Sequence, residues 1–315
     1  MSTPTLAKKA DAGGGRTPGT ASPPAGPTAE PGAPAAGVPR TGFRLRMNGP
    51  VAAALSCLLL GLLMISFVGY LFAASRLQEE HFQSTARKTF ANQLANALAP
   101  VGTAPDGSPV AVVDIPAIGL HQAVVVEGTT GRDLMRGPGH RRDTALPGQQ
   151  GVSVLFGRHA TFGAPFADLT DLRIGDVIHA TTGQGESTYT VNAFGDSSHP
   201  IKDTATDRLV LVTGDSDWIP TRTLLVGARL DGTGKPDPGG RPAVVDTDRA
   251  LASDTAALPA LQLWALGLLL AVIAAVVAAR RRMPRGAVHL IFAPVLAALL
   301  WCVHENAAAL LPNLY

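Results

Sequence analysis

The chain has 315 residues, 46% of them hydrophobic but only 5% aromatic, with 26 Lys and Arg against 24 Asp and Glu. Charge so nearly balanced gives no support to nucleic-acid binding. Two cysteines are too few for a disulfide framework or a cysteine-based zinc site.

Residues 1–48 are dominated by Pro, Ala, Gly, Thr and Ser, with few large apolar side chains. Such a segment cannot bury enough surface to offset its ordering entropy, so a disordered tail is expected. An uncharged apolar run over 51–74 follows, long enough to cross a bilayer as an uncleaved anchor. Phe82, Ala86, Phe90, Leu94 and Leu98 then recur every four residues, which predicts an amphipathic stalk helix over 76–99. Pro100, Pro105 and Pro109 break that pattern.

From Val110 the period shortens. Ala111–Ile115, Gln122–Val126, Gly151–Phe156, Val177–Ala180, Ser187–Asn192, Leu209–Thr213 and Thr223–Leu230 read as strands separated by Gly, Pro and Asp turns. Their spacing predicts an antiparallel barrel or sandwich within 100–232. Residues 233–258 return to Gly, Pro, Asp and Ala and read as a flexible tether. Two further apolar runs, 259–279 and 287–311, are candidate spans, the second carrying Pro294 and, near its outer end, His304, Glu305 and Asn306.

Charge orients these spans. Lys8, Lys9, Arg16, Arg40, Arg44 and Arg46 outweigh Asp11 and Glu30 ahead of the first, and Arg280, Arg281, Arg282 and Arg285 fill the loop between the other two. The positive-inside rule assigns both clusters to the cytoplasm. Three spans then leave residues 75–258 and the C-terminal end outside a multi-pass cell-membrane protein. That outer stretch holds 21 acidic and 16 basic residues, so the whole-chain balance averages two compartments. Cys57 and Cys302 both fall inside predicted spans, so the outer domain contains no thiol. No cofactor or metal is expected there: His121, His140, His179 and His199 lack ligand spacing, and Asp215 with Asp217 reads as a solvated turn.

Four segments carry a family resemblance. Ala111-Val-Val-Asp-Ile-Pro-Ala-Ile-Gly119, Gly137-Pro-Gly-His-Arg-Arg-Asp-Thr-Ala-Leu-Pro-Gly-Gln149, Gly157-Arg-His-Ala-Thr-Phe-Gly-Ala-Pro-Phe166 and Arg208-Leu-Val-Leu-Val-Thr-Gly-Asp215 stand in that order. Together they resemble sortases, the cell-wall transpeptidases of Gram-positive bacteria, and more closely the actinobacterial, class E-like members. The resemblance implies an all-β, sortase-type eight-stranded barrel, here extracytoplasmic and joined to three transmembrane α-helices. It also implies a catalytic cysteine, an acid/base histidine and an arginine acting on a sorting-signal peptide. In this chain Gly214 occupies the cysteine's place. The histidine's place, directly after Gly157, is Arg158, with His159 one residue later. The arginine's place falls on Thr223 in the best register, with Arg222 one residue before. His159 and Arg222 are therefore the candidate catalytic positions.

Without a side chain Gly214 cannot attack a carbonyl or hold an acyl group. The leading expectation is a catalytically silent, membrane-anchored domain that binds a sorting-signal-like peptide or envelope membrane proteins, with the lipid bilayer as its other partner and no nucleic acid. A second is an active transpeptidase or peptidase using a hydroxyl of Ser216 or Thr213, although no adjacent base or Gly-x-Ser-x-Gly elbow supports one. A third makes the outer domain incidental and gives the spans to a transporter partner.

Overall fold

A computed structural model describes residues 49–315 apart from 203, 204, 217, 218 and 282. The expected tail over 1–48 lies outside the described residues. Ala52–Tyr315 form one compact unit, which holds the strands and nearly all of the helical structure. The chain enters as one long helix, α1 (Gly49–Gly69) and α2 (Ser75–Ala95), joined by a π-helical turn over Tyr70–Ala74. With α4 (Leu258–Arg280) and α5 (Arg285–Ala308) it makes three helices long and apolar enough to cross a membrane.

Between them eight strands close into a barrel. These are β1 (Pro109–Ile115), β2 (Leu120–Glu127), β3 (Gly139–His140), β4 (Val152–Phe156), β5 (Val177–Thr182), β6 (Gly185–Asp196), β7 (Arg208–Gly214) and β8 (Thr223–Leu230). A four-residue helix, α3 (Gly131–Leu134), lies between β2 and β3 and is opened by a Thr130–Asp133 capping box. The barrel order is β1-β2-β3-β4-β7-β8-β6-β5. All seven strands expected from the sequence are present. The one missed, β3, has only two residues, too few to show any alternation. Pairing is antiparallel except for β2–β3 and β4–β7, which run parallel.

Alternation along the strands fills the interior. Val113, Ile115, Leu155, Ile178, Tyr189, Val191, Leu209, Leu211, Val226 and Ala228 point inward and exclude solvent. On the parallel pair β4–β7 the outward positions are apolar as well. Phe156 and Val212 are buried there, with Val154 and Val210 half-covered beside them. A strand pair apolar on both faces requires an outer layer.

The stalk helix docks by a polar contact that its apolar stripe did not announce. Ala86 and Phe90 are buried as the periodicity implies, whereas Leu98 is exposed. The deeper anchor is the Gln83 amide, whose Oε1 accepts from the Val124 amide at 2.8 Å while Nε2 donates to the carbonyls of Val124 and Arg136 at 2.9 and 2.8 Å. One side chain thus satisfies both backbone groups of Val124, as a neighbouring strand would.

The segment read as a flexible tether, 233–258, is held along its length. Lys235 exchanges backbone hydrogen bonds with Gly148 and Gln150, and buried Asp248 pairs with Arg142 at 2.9 Å. Its Gly and Pro content sets the path of the backbone; these contacts fix it. The polar group at the end of α5 is also committed to partners. Ser66 Oγ lies 2.7 Å from His304 Nε2, Gln78 Nε2 donates to Glu305 at 3.3 Å, and Arg132 Nη2 donates to Asn306 Oδ1 at 3.0 Å.

Replacing Gln83 by Ala leaves the Val124 amide and two carbonyls buried without partners. The expected loss is about 1–3 kcal/mol, read as a lower thermal midpoint of the detergent-solubilised chain. Phe82→Ala, on a half-exposed position, should cost less.

Candidate functional site

The segments 137–149, 157–166 and 208–215 meet at one end of the parallel β4–β7 pair, where Gly139 pairs with Phe156, while Ala111–Gly119 belongs to β1, which pairs with β2 and β5. Gly214 closes β7, opposite Thr223 of β8. The loop leaving β4 carries Gly157, Arg158 and His159 beside it, because Gly157 donates its amide to the Val212 carbonyl at 3.0 Å. Gly157 has no room for a side chain, since a Cβ there would overlap the ring of Phe166.

Each expected residue has a definite place. His159 lies in that loop, not within a strand, half-buried, and its backbone N–H donates to the Leu314 carbonyl at 3.1 Å. Arg222 precedes β8 and is exposed, with Nε 3.2 Å from Asp215 Oδ2. Asp215 also accepts from the backbone amides of Thr221 and Arg222 at 3.0 and 3.1 Å. Partial burial raises the Asp215 carboxyl, but these hydrogen bonds outweigh that and bring it below the usual carboxylate range. Arg222 therefore serves as one half of a clamp across the β7–β8 turn. The Thr213 hydroxyl is fully buried and donates to the Gly157 carbonyl at 3.0 Å. His140 is buried with Nδ1 2.9 Å from Glu127, a structural role in line with its place in a turn motif.

Arg158 is the residue whose role the sequence did not reveal. It is completely buried. Nη2 donates to the Gly131 carbonyl at 3.0 Å, and Nη1 donates to Thr161 Oγ1 at 3.1 Å and to the Tyr315 main-chain oxygen at 3.2 Å. Its guanidinium stands 4.9 Å over the ring of Phe162. Burial pushes it down to about 9, which still leaves it charged at neutral pH.

What covers the site is the far end of the chain. Leu314 is fully buried against Leu134, Phe156 and Val212 on the outer face of β4–β7. Its carbonyl oxygen would lie 3.2 Å from a Cβ placed on Gly214, and Pro220 Cβ would lie at 2.8 Å. Position 214 is thus closed to a side chain from two directions. Among the described residues no group of three or more His, Cys, Asp or Glu is placed to hold a metal ion.

Two outcomes are expected. Gly214→Ala, at a backbone angle open to any residue, must displace Pro220 or the Leu314 carbonyl and should cost about 1–3 kcal/mol in thermal unfolding. Because the Asp215 carboxyl titrates lower in the folded chain than in the unfolded one, its contribution is present above about pH 4 and is lost as pH falls through the depressed value. The protection factors of the Thr221 and Arg222 amides, corrected for the intrinsic exchange rate, should fall in that acid range and should not change across it in Asp215→Asn.

Comparison with known proteins bears on this barrel. A sortase domain family model matches residues 113–230. A single-site mutant of sortase E from Streptomyces avermitilis is 30% identical over 46% of this chain and 100% of that one, with TM-score 0.35. A sortase D5 transpeptidase from Clostridium perfringens is 22% identical over 48% and 99%, with TM-score 0.42. Clostridium perfringens sortase C, solved with the C-terminal cell wall sorting motif, is 23% identical over 50% and 91%, with TM-score 0.36. Among curated proteins none matches. With its closed eight-stranded barrel and the family match across it, the chain carries a sortase domain, flanked by helices able to span a membrane.

Proposed function

We propose that this chain is a membrane-anchored, surface-exposed sortase-like protein that has lost acyl-transfer chemistry and acts by binding a peptide or protein within a cell-envelope complex. The observation that carries the reading is at Gly214, the position aligned with the family cysteine. It has no side chain to offer, and the Leu314 carbonyl stands where one would project. A thioester needs a thiol, and residues 75–258 contain no cysteine. Arg158, in the histidine's place, is engaged by backbone oxygens, and a guanidinium is a poor proton shuttle at neutral pH.

His159 and Arg222 are then positioning residues, one holding the Leu314 carbonyl through its backbone and the other clamping the β7–β8 turn. Loss of the covalent step leaves peptide binding possible, since recognition and bond cleavage draw on different groups. Both basic clusters are assigned to the cytoplasm and the barrel to the outside, an arrangement supported by the C-terminal end of α5 lying against the barrel. The rival reading, a hydroxyl nucleophile, is opposed by the Thr213 hydroxyl, which is buried and already donated to Gly157.

Intact-mass analysis of the detergent-solubilised chain with a sorting-type peptide tests this. Neither cleavage nor a covalent adduct should appear, and Gly214→Cys should remain silent, because the histidine and arginine places are altered too. An acyl adduct on Ser216 or Thr213 would overturn the reading, whereas turnover by Gly214→Cys would show that the thiol alone is missing.

A further inference from the structure

Leu314 lies on the outer face of β4–β7, and Asn313 and Tyr315 are held on either side of it, with contacts of the kind made by a bound peptide. Asn313 is fully buried, and its Nδ2 faces the carbonyls of Thr129, Thr247 and Arg249 at 3.1, 2.7 and 2.9 Å. Leu314 fills the apolar hollow formed by Leu134, Phe156 and Val212. The backbone is held separately: the Leu314 carbonyl accepts from the His159 amide at 3.1 Å, and the Tyr315 oxygen accepts from Thr161 Oγ1 at 2.6 Å and from Arg158 at 3.2 Å. Main-chain contacts supply affinity and side-chain pockets supply selectivity, the division of labour by which domains read short peptides.

We propose that this groove is a peptide-binding site selective for an amide side chain followed by an aliphatic one, and that it is occupied in cis by Pro312–Tyr315. The chain thereby blocks its own groove, and an outside peptide of the same chemistry gains entry only by displacing a tethered competitor. Tethering gives that competitor an effective concentration on the order of millimolar, so a free peptide binds the intact chain far more weakly than the opened one. The inference deepens the proposed function by naming the ligand class. It relies on that reading only for the groove's identity, and its test measures occupancy and not chemistry.

Val212 lies under Leu314 and reports on the cover. In a full-length background with Cys57→Ala and Cys302→Ala, Val212→Cys is exposed to a membrane-impermeant maleimide. Labelling should be slow with the segment intact and at least about tenfold faster after deletion of residues 312–315, because protection follows the population of the open state. A synthetic peptide with the sequence of residues 309–315 should restore protection, and the same peptide with Asn313 replaced by Ala should not. Should the deletion prevent folding, Asn313→Ala in the full chain carries the same comparison. Unchanged labelling in the opened variant would sink the proposal, as would failure of the peptide to protect it. The second result would make the segment a fixed strut and not a ligand. Acyl transfer is read independently by mass, so failure of the functional reading leaves a different signature.

Discussion

The parallel pairing of β4 with β7 imposes the requirement that organises the rest of the molecule. Leu155, Leu209 and Leu211 fill the barrel from one side, while Phe156 and Val212 present an apolar surface on the other. Water against that outer surface would forgo roughly 1.5–3 kcal/mol for each large side chain left uncovered. Leu134 of α3 and Leu314 supply the cover. Because Leu314 follows α5, covering the sheet also ties the helical hairpin to the barrel. A packing requirement in the domain thus becomes a connection between the domain and its candidate membrane helices.

Arg158 secures that connection. A buried guanidinium is costly unless its donors are matched; here Nη1 and Nη2 reach the Gly131 carbonyl, the Thr161 hydroxyl and the Tyr315 oxygen, while the buried Nε has no partner among the described residues. Among the described residues no Asp or Glu side chain forms an ion pair with it. Five donors in a rigid fork suit a site lined by backbone oxygens in a way that an imidazole does not. Beside it, Phe162 meets Tyr70 edge-on at 6.2 Å, and the Phe162 amide donates to Ser75 Oγ at 3.2 Å. The loop after β4 therefore joins three remote parts of the chain: the long N-terminal helix, α3, and the segment after α5.

Much of this was legible beforehand, and the reasons differ from residue to residue. The seven longer strands announced themselves because alternation over four or more residues is a local signal; β3, at two residues, gave none. Gln83 was invisible because a polar residue on a helix face ordinarily points to water, and only the exposed backbone of Val124 makes it an anchor. Arg222 stood one residue from the expected arginine, and its commitment to Asp215 depends on a turn that brings together residues seven apart. His159 sat beside the expected histidine, yet its backbone, held by Leu314, gives it a definite partner.

The sequence alone determined that residues 75–258 hold no thiol, that position 214 is a glycine, and that three stretches are apolar enough to span a bilayer. Composition and short-range periodicity carry such facts without reference to the fold. Only the tertiary structure decided what lies over Gly214, because Leu314 is one hundred positions away and its apolar character is shared by dozens of other residues. It likewise decided that Arg158 points inward, since a charge belongs in water unless distant carbonyls converge to receive it, and convergence is a property of the folded backbone.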